Sequence, residues 1–281
     1  MPEPQTLMTG IVFGESPRWR DGRLWFSDWG SREIVAVDPE GRSEVIVHLP
    51  SSPFSIDWLP DGRLLVVSAS DGLLLRREPD GSLVTHSDLS SLSNHPWNDI
   101  VVDGRGNAYV GNIGFDFPDG EFAPGTLALV TSEGSVRQVA DGLAFPNGVV
   151  VTPDNSTLIC AESYGSRLTA FDIAADGSLS NRRVWADLGD SVPDGICLDA
   201  EGAVWYGDVP NRRCVHVREG GEVLQRIELN RGCFACMLGG IDVRTLFMVA
   251  QEWRDTESTT DGEPSGRILT VPAPAAGAGW P

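Results

Sequence analysis

Apolar residues in this chain fall into short alternating or continuous runs separated by tight turns, and the pattern recurs six times. Asp21-Gly22 joins PRWR to RLWFSD, and Asp61-Gly62 joins SIDWLP to RLLVVS. Gly104-Arg105-Gly106, Asp154-Asn155, Glu201-Gly202 and Gly240-Ile241-Asp242 join the corresponding pairs farther along. Two-residue turns of this kind close β-hairpins. A third run follows in each unit (REIVAVD, GLLLRRE, GTLALVT, SRLTAFD, RCVHVRE, GRILTVP). A closing run follows in five of them (SEVIVHL, SLVTHSD, SVRQVAD, NRRVWAD, EVLQRIE). No stretch sustains a 3.6-residue period. A four-strand unit repeating every roughly 40 to 50 residues is a propeller blade, because one blade cannot bury both faces and must stack until the ring closes. The expectation is an all-β, six-bladed propeller of four-stranded antiparallel blades around a central metal-containing channel, spanning 1–281 as one domain.

The innermost strand of a blade lines the channel, so residues at its start converge on the axis. The six units give GESPRW, PFSIDW, PWNDIV, FPNGVV, VPDGIC and FACMLG there. Polar residues at that place are Glu15, Ser55, Asn98, Asn147, Asp194 and, less clearly, Cys236. Asn147-Gly148 and Asp194-Gly195 taken singly read as turn residues. That reading does not explain why both follow proline at one repeat position, nor why Glu15 and Asn98 share it. Two carboxylates and two carboxamides meeting at one point form an oxygen-only set suited to a hard cation. One divalent ion is expected, Ca²⁺ first, with Mg²⁺, Mn²⁺ or Zn²⁺ as alternatives.

Charge narrows the partners. Lys and Arg number 21 against 40 Asp and Glu, a net charge of −19, which excludes a phosphate backbone or an anionic membrane as partner and favours cations. A small-molecule substrate remains, on a monomer or small homo-oligomer. Neither a leader-like N-terminal segment nor an apolar run long enough to span a bilayer is visible, and five cysteines suit a reducing compartment, so a cytoplasmic location is expected. Cys233 and Cys236 form a C-x-x-C without a second pair, and read as buried strand cysteines.

The segments G-E-S-P (14–17), W-N-D (97–99), F-P-N-G (145–148), P-D-G (193–195) and G-G-x-D-x-R-T-L (239–246) resemble the senescence-marker-protein, regucalcin and gluconolactonase family. The resemblance covers nearly the whole chain. It implies a central metal held by Glu15, Asn147 and Asp194, with Asn98 as a further ligand or a substrate contact. It also implies lactone hydrolysis. Regucalcin-like members carry an arginine two residues before that asparagine to grip substrate hydroxyls, and this chain has Pro96. With His95, Trp97, Phe115 and Phe117 around it, a more apolar lactone or ester is expected.

In that reading a metal-polarised carbonyl is attacked by water, with Asp194 as general base and Asn98 positioning the substrate. Asn112, His95, Trp97 and Phe115 are candidate substrate contacts. Asn112 reads equally as structural, and His95 as a proton shuttle or a loop packing residue. Glu162 and Glu252 end second strands and read as channel-lining or rim-solvating. Tyr164, Trp253 and the 113–125 loop are candidate pocket walls. Ser16 lacks a nucleophile elbow and a histidine partner in sequence. Rival readings keep the metal but change the chemistry to a lyase or isomerase step, or make the propeller a Ca²⁺-stabilised binding scaffold.

Overall fold

A computed structural model describes residues 3–252 and 264–279. Six four-stranded antiparallel sheets form the blades of a β-propeller: 14–48, 53–88, 97–143, 146–187, 193–228, and 232–272 completed by 5–11. Every turn, third run and closing run read from the sequence takes its expected place. The sixth blade, which lacked a closing run, borrows one. Strand Gln5–Ile11 pairs antiparallel with Gly266–Pro272, so the beginning of the described chain closes the ring. Among the described residues the only helix is a single 3₁₀ turn, Ser163–Gly165, and none is long and apolar enough to cross a membrane.

The core lies between blades. Leu65, Val67, Trp97, Ile100 and Val110 pack blade 2 on blade 3, while Ile159, Leu168, Ile196 and Tyr206 pack blade 4 on blade 5. The later halves of the inner strands of blades 3 to 5 (100–102, 149–151 and 196–198) are apolar on both sides because a blade covers each of their faces. All five cysteines are free and buried, Cys233 and Cys236 among them. The glycine- and alanine-rich tail is ordered through Gly279. Ala200 N–H donates to Ala276 O at 2.8 Å, and Gly277 bridges Asp199.

Two glycines set how closely the inner strands approach. A methyl on Gly148 would lie 2.6 Å from Asp194 O and Ile196 N, and one on Gly195 would lie 2.5 Å from Ala235 Cβ. Both sit inside strands, Pro146–Val151 and Pro193–Leu198, and neither is in a turn. Asn-Gly and Asp-Gly here are therefore packing dipeptides.

The second strands end in a repeated buried polar residue: Asp28, Ser68, Asn112, Glu162, Asp208 and Gln251. Five of them bond the linker that enters their own blade. Asp28 accepts Val12 and Phe13 N–H, Glu162 accepts Ala144 N–H, and Asp208 accepts Val192 N–H. Ser68 meets Ser51 Oγ at 2.6 Å, and Asn112 Nδ2 donates to His95 O and Pro96 O. Gln251 instead accepts Gly14 N–H in blade 1. Partly buried linker backbone needs hydrogen-bond partners, and these side chains supply them.

Glu162 thus neither lines the channel nor solvates the rim. It is fully buried, with Arg167 Nη2 at 2.9 Å and Arg182 Nη2 at 3.1 Å. Burial pushes its carboxyl up, but Arg167, Ala144 N–H and Thr169 Oγ1 outweigh that and hold it below its ordinary value of 4.5. Its stabilisation is then complete above pH 4.5 and is lost as pH falls through the lowered folded value. Glu162→Gln is expected to cost about 2–3 kcal/mol at pH 7 and to flatten the acid limb of the stability profile, as read by urea unfolding between neutral and acid pH. Gly195→Ala should cost roughly 1–3 kcal/mol by overpacking, whereas Gly111→Ala, whose methyl would meet nothing nearer than Pro146 O at 3.7 Å, serves as the control for glycine substitution. Equal losses in the two glycine variants would show that inner-strand approach is not limiting.

Candidate metal and substrate site

Each inner strand breaks register with its neighbour near its first residues: Glu15/Arg18, Pro53/Ser55, Trp97/Ile100, Pro146/Val149, Pro193/Ile196 and Cys233/Ala235. A β-bulge re-aims the side chains it carries. Glu15, Asn98, Asn147 and Asp194 all lie within or beside these bulges and are brought together at one mouth of the channel. Glu15, Asn98 and Asn147 line a small cavity there, with Ser55, Gly195 and Cys236. Asp194 joins through a hydrogen bond from the Asn147 side chain and through its charge on Glu15.

A hoop of hydrogen bonds runs around this mouth from blade to blade. Ile56 N–H donates to Ser16 Oγ at 3.0 Å, and Ser55 Oγ donates to Asn98 O at 2.6 Å. Asn98 Nδ2 donates to Pro146 O at 3.3 Å, and Ser163 Oγ to Pro193 O at 2.7 Å. Cys236 Sγ reaches Gly195 O at 3.7 Å, and Gly14 N–H returns to Gln251 Oε1 at 3.0 Å. Ser55 and Cys236, at the equivalent repeat positions, are thereby assigned to the hoop. Ser16, in the left-handed region at φ 49°, is an acceptor there and has no histidine partner among its hydrogen bonds.

The electrostatics at the mouth are unbalanced. Burial, then the charges of Asp194 and Asp99, push the Glu15 carboxyl well up, against Ser16 N–H and Arg18. Burial, then Asp99, push Asp194 up, against the Asn147 side chain and Gly195 N–H. The nearby cation is Arg18, and it is engaged elsewhere: Nη2 donates to Ile100 O at 2.6 Å and to Asp99 Oδ1 at 3.3 Å. Two dehydrated carboxyls share one spot without a dedicated counter-charge.

This donor set fits a divalent cation. Asn98 Nδ2 is held by Pro146 O, and Asn147 Nδ2 by Ser163 Oγ at 3.3 Å, so each amide has its carbonyl oxygen left for a ligand. Among the described residues, no three His, Cys, Asp or Glu side chains gather as a metal group. The oxygens here are two carboxylates and two amides, which suits a hard ion and not a soft one. Asp99, though close, is spent on Arg18 and on Val149 N–H.

Sequence reading missed the layer beneath. Asp57 Oδ2 accepts Val102 N–H at 2.6 Å and Asp99 Oδ2 accepts Val149 N–H at 3.1 Å, each fastening its blade to the next. Burial lifts Asp57 to about 6, against the pull of Arg18. The recurrence of Ile-Asp and Asn-Asp on successive inner strands is the signal that could have found them.

The other candidate substrate contacts separate. Trp97 is fully buried in the core between blades 2 and 3, and Asn112 is 1% exposed with its amide on the 95–96 and 114 backbone. His95 stands half-exposed with Nδ1 at 3.0 Å from Asp116. Phe115 is buried beneath a cluster of rings. Its centroid is 5.7 Å from Phe122, 5.8 Å from Phe145 and 6.0 Å from Tyr164, and Phe145 stacks on Tyr164 at 5.0 Å. Phe122 belongs to the 113–125 loop, one of the candidate pocket walls. Glu252 is exposed, and its N–H donates to Ser265 Oγ, while Trp253 lies outside the described residues.

These rings stand at the same end as the ligand oxygens. Trp97 pairs with Asn112 and Pro146 with Glu162, so the segments after Asn112 and Glu162 rise beside Asn98 and Asn147.

Residues 13–252 match the family model described as SMP-30/Gluconolactonase/LRE-like region. Regucalcin of Xenopus laevis is 25% identical over 265 residues, covering 89% of this chain and 88% of that protein. A calcium-binding regucalcin structure from Agrobacterium tumefaciens superposes with a TM-score of 0.81 at 23% identity, covering 99% of this chain and 95% of the other. A gluconolactonase structure from Xanthomonas campestris gives 0.76 at 23% identity, covering 96% and 89%. These two structural likenesses bear on the fold, and the match over 13–252 bears on descent: the chain belongs to the SMP-30/gluconolactonase/LRE-like family.

Proposed function

We propose that this protein is a metal-dependent hydrolase that opens a lactone, or cleaves a related ester, at the channel mouth. The observation that carries the reading is the pair Glu15 and Asp194, dehydrated together beside two amide oxygens and lacking a counter-cation. Support also comes from the family, which includes a gluconolactonase of the same fold, and from regucalcin, whose structure is that of a calcium-binding protein. Glu15, Asn147, Asp194 and Asn98 would hold the ion, Ca²⁺ by hardness and oxygen count. When bound, a divalent cation supplies Lewis acidity to the ester carbonyl.

The chain's own groups do the rest. Asp194 accepts a proton from the attacking water as the water oxygen bonds to the acyl carbon. The ring C–O bond then breaks, and the proton passes to the departing alkoxide, leaving a hydroxy acid. Asn98, fixed by Pro146 O, orients the substrate.

Chelation is expected to abolish lactone opening and to lower the melting temperature, and Ca²⁺ to restore both. A free ion at about 100 times its Kd adds roughly 2.7 kcal/mol. Asp194→Ala should lose both the Ca²⁺-dependent melting shift and at least about 100-fold in kcat/KM. Full activity of that variant with metal bound would sink the mechanism. In H₂¹⁸O the hydroxy acid product should carry one solvent oxygen. Substrate loss without label would move the protein to lyase or isomerase chemistry.

A further inference from the structure

Beside the metal-binding mouth lies a second recess, lined by Phe122, Ala144, Ser163, Tyr164, Ser166 and Val192, with an empty volume of about 830 Å³ open to solvent. None of these six side chains is charged. Phe122 and Tyr164 are 48% and 53% exposed and adjacent, so they form one exposed apolar patch. They stand 5.9 Å apart on a buried floor of Phe115 and Phe145. Ser163 joins the two spaces, accepting from Asn147 Nδ2 at 3.3 Å and donating to Pro193 O next to Asp194 at 2.7 Å. The rings therefore lie one hydroxyl away from the side chains of the mouth.

We propose that this recess is the subsite for an apolar, preferentially aryl, substituent of the lactone, and that it selects such lactones over polyhydroxylated ones. The inference rests on the hydrolase reading for the reaction but not for binding. A sugar lactone brings several hydroxyls, each of which needs a partner once dehydrated. The recess offers the Tyr164 phenol and Ser166, since the Ser163 hydroxyl is already committed. An aryl group instead gains ring–ring contact and covers the exposed faces of Phe122 and Tyr164.

The test compares Ca²⁺-loaded wild type with Phe122→Ala, Tyr164→Ala and Tyr164→Phe on γ-phenyl-γ-butyrolactone, γ-butyrolactone and glucono-δ-lactone. Calorimetry of 4-phenylbutyrate binding accompanies it, and melting curves verify folding of each variant. Wild type should prefer the phenyl lactone in kcat/KM. Each alanine variant should reduce that preference, and 4-phenylbutyrate affinity, by about tenfold, while Tyr164→Phe, which keeps the ring, should retain both. Preference for glucono-δ-lactone, or selectivity and affinity unchanged in both alanine variants, would overturn the proposal. So would an equal loss in Tyr164→Phe, which would assign the effect to the phenol hydroxyl. If no lactone is opened with any cation, the hydrolase reading falls alone. The subsite then stands on ring-dependent 4-phenylbutyrate binding, and falls if that binding is absent or indifferent to the rings.

Discussion

Six inner strands share one axis, and the room at that axis is set by how near one backbone comes to the next. At Gly148 and Gly195 the approach is so close that a single methyl would collide with the neighbouring strand. Proline before and glycine after leave the Asn147 and Asp194 side chains directed at the channel mouth. The same crowding removes water from Glu15 and Asp194, and lost hydration pushes both carboxyls up. Packing, ligand placement and electrostatic demand for a cation are thus consequences of one geometric constraint.

A mouth built this way holds polar atoms where water is scarce, and the hoop of hydrogen bonds is how the fold satisfies them. Each member links adjacent blades, through Ser16, Ser55, Asn98, Ser163, Cys236 and Gln251 in turn. Side chains so held have few rotamers left, which fixes Asn98 and, through Ser163, Asn147 in place. Beneath the hoop, Asp57 and Asp99 repeat the fastening one layer down, and Arg18 offsets part of their charge.

The propeller was legible in the sequence because turn chemistry and run length repeat. The sixth closing strand was not, because QTLMTGI carries no turn linking it to the last blade and finds its partner only when the ring closes. The four ligand candidates were legible by position alone. Their glycines invited the wrong physical reason, since a turn and a tight strand crossing both select Asn-Gly or Asp-Gly. Trp97 shows the limit of adjacency: next to Asn98 in sequence, it points into the inter-blade core, because neighbouring residues on a strand face opposite ways. The 113–125 loop was legible as a pocket wall, but not which of its rings meets Tyr164, because loop conformation, which no period encodes, brings Phe122 there.

Two sets of residues with different tolerance for change therefore meet at one face. The candidate ligands stand on inner strands, with Asn98 a member of the hoop and Asn147 bonded to it through Ser163, so altering either disturbs the neighbouring blade. The aromatic rings stand on segments that leave the second strands of blades 3 and 4, anchored at their roots by Asn112 and Glu162. Such segments can exchange side chains without moving the inner strands. Ser163 is the joint where the two systems touch, bonded to a ligand on one side and lining the apolar recess on the other. Chemistry and selectivity can then vary almost independently, with a single hydroxyl setting the register between them.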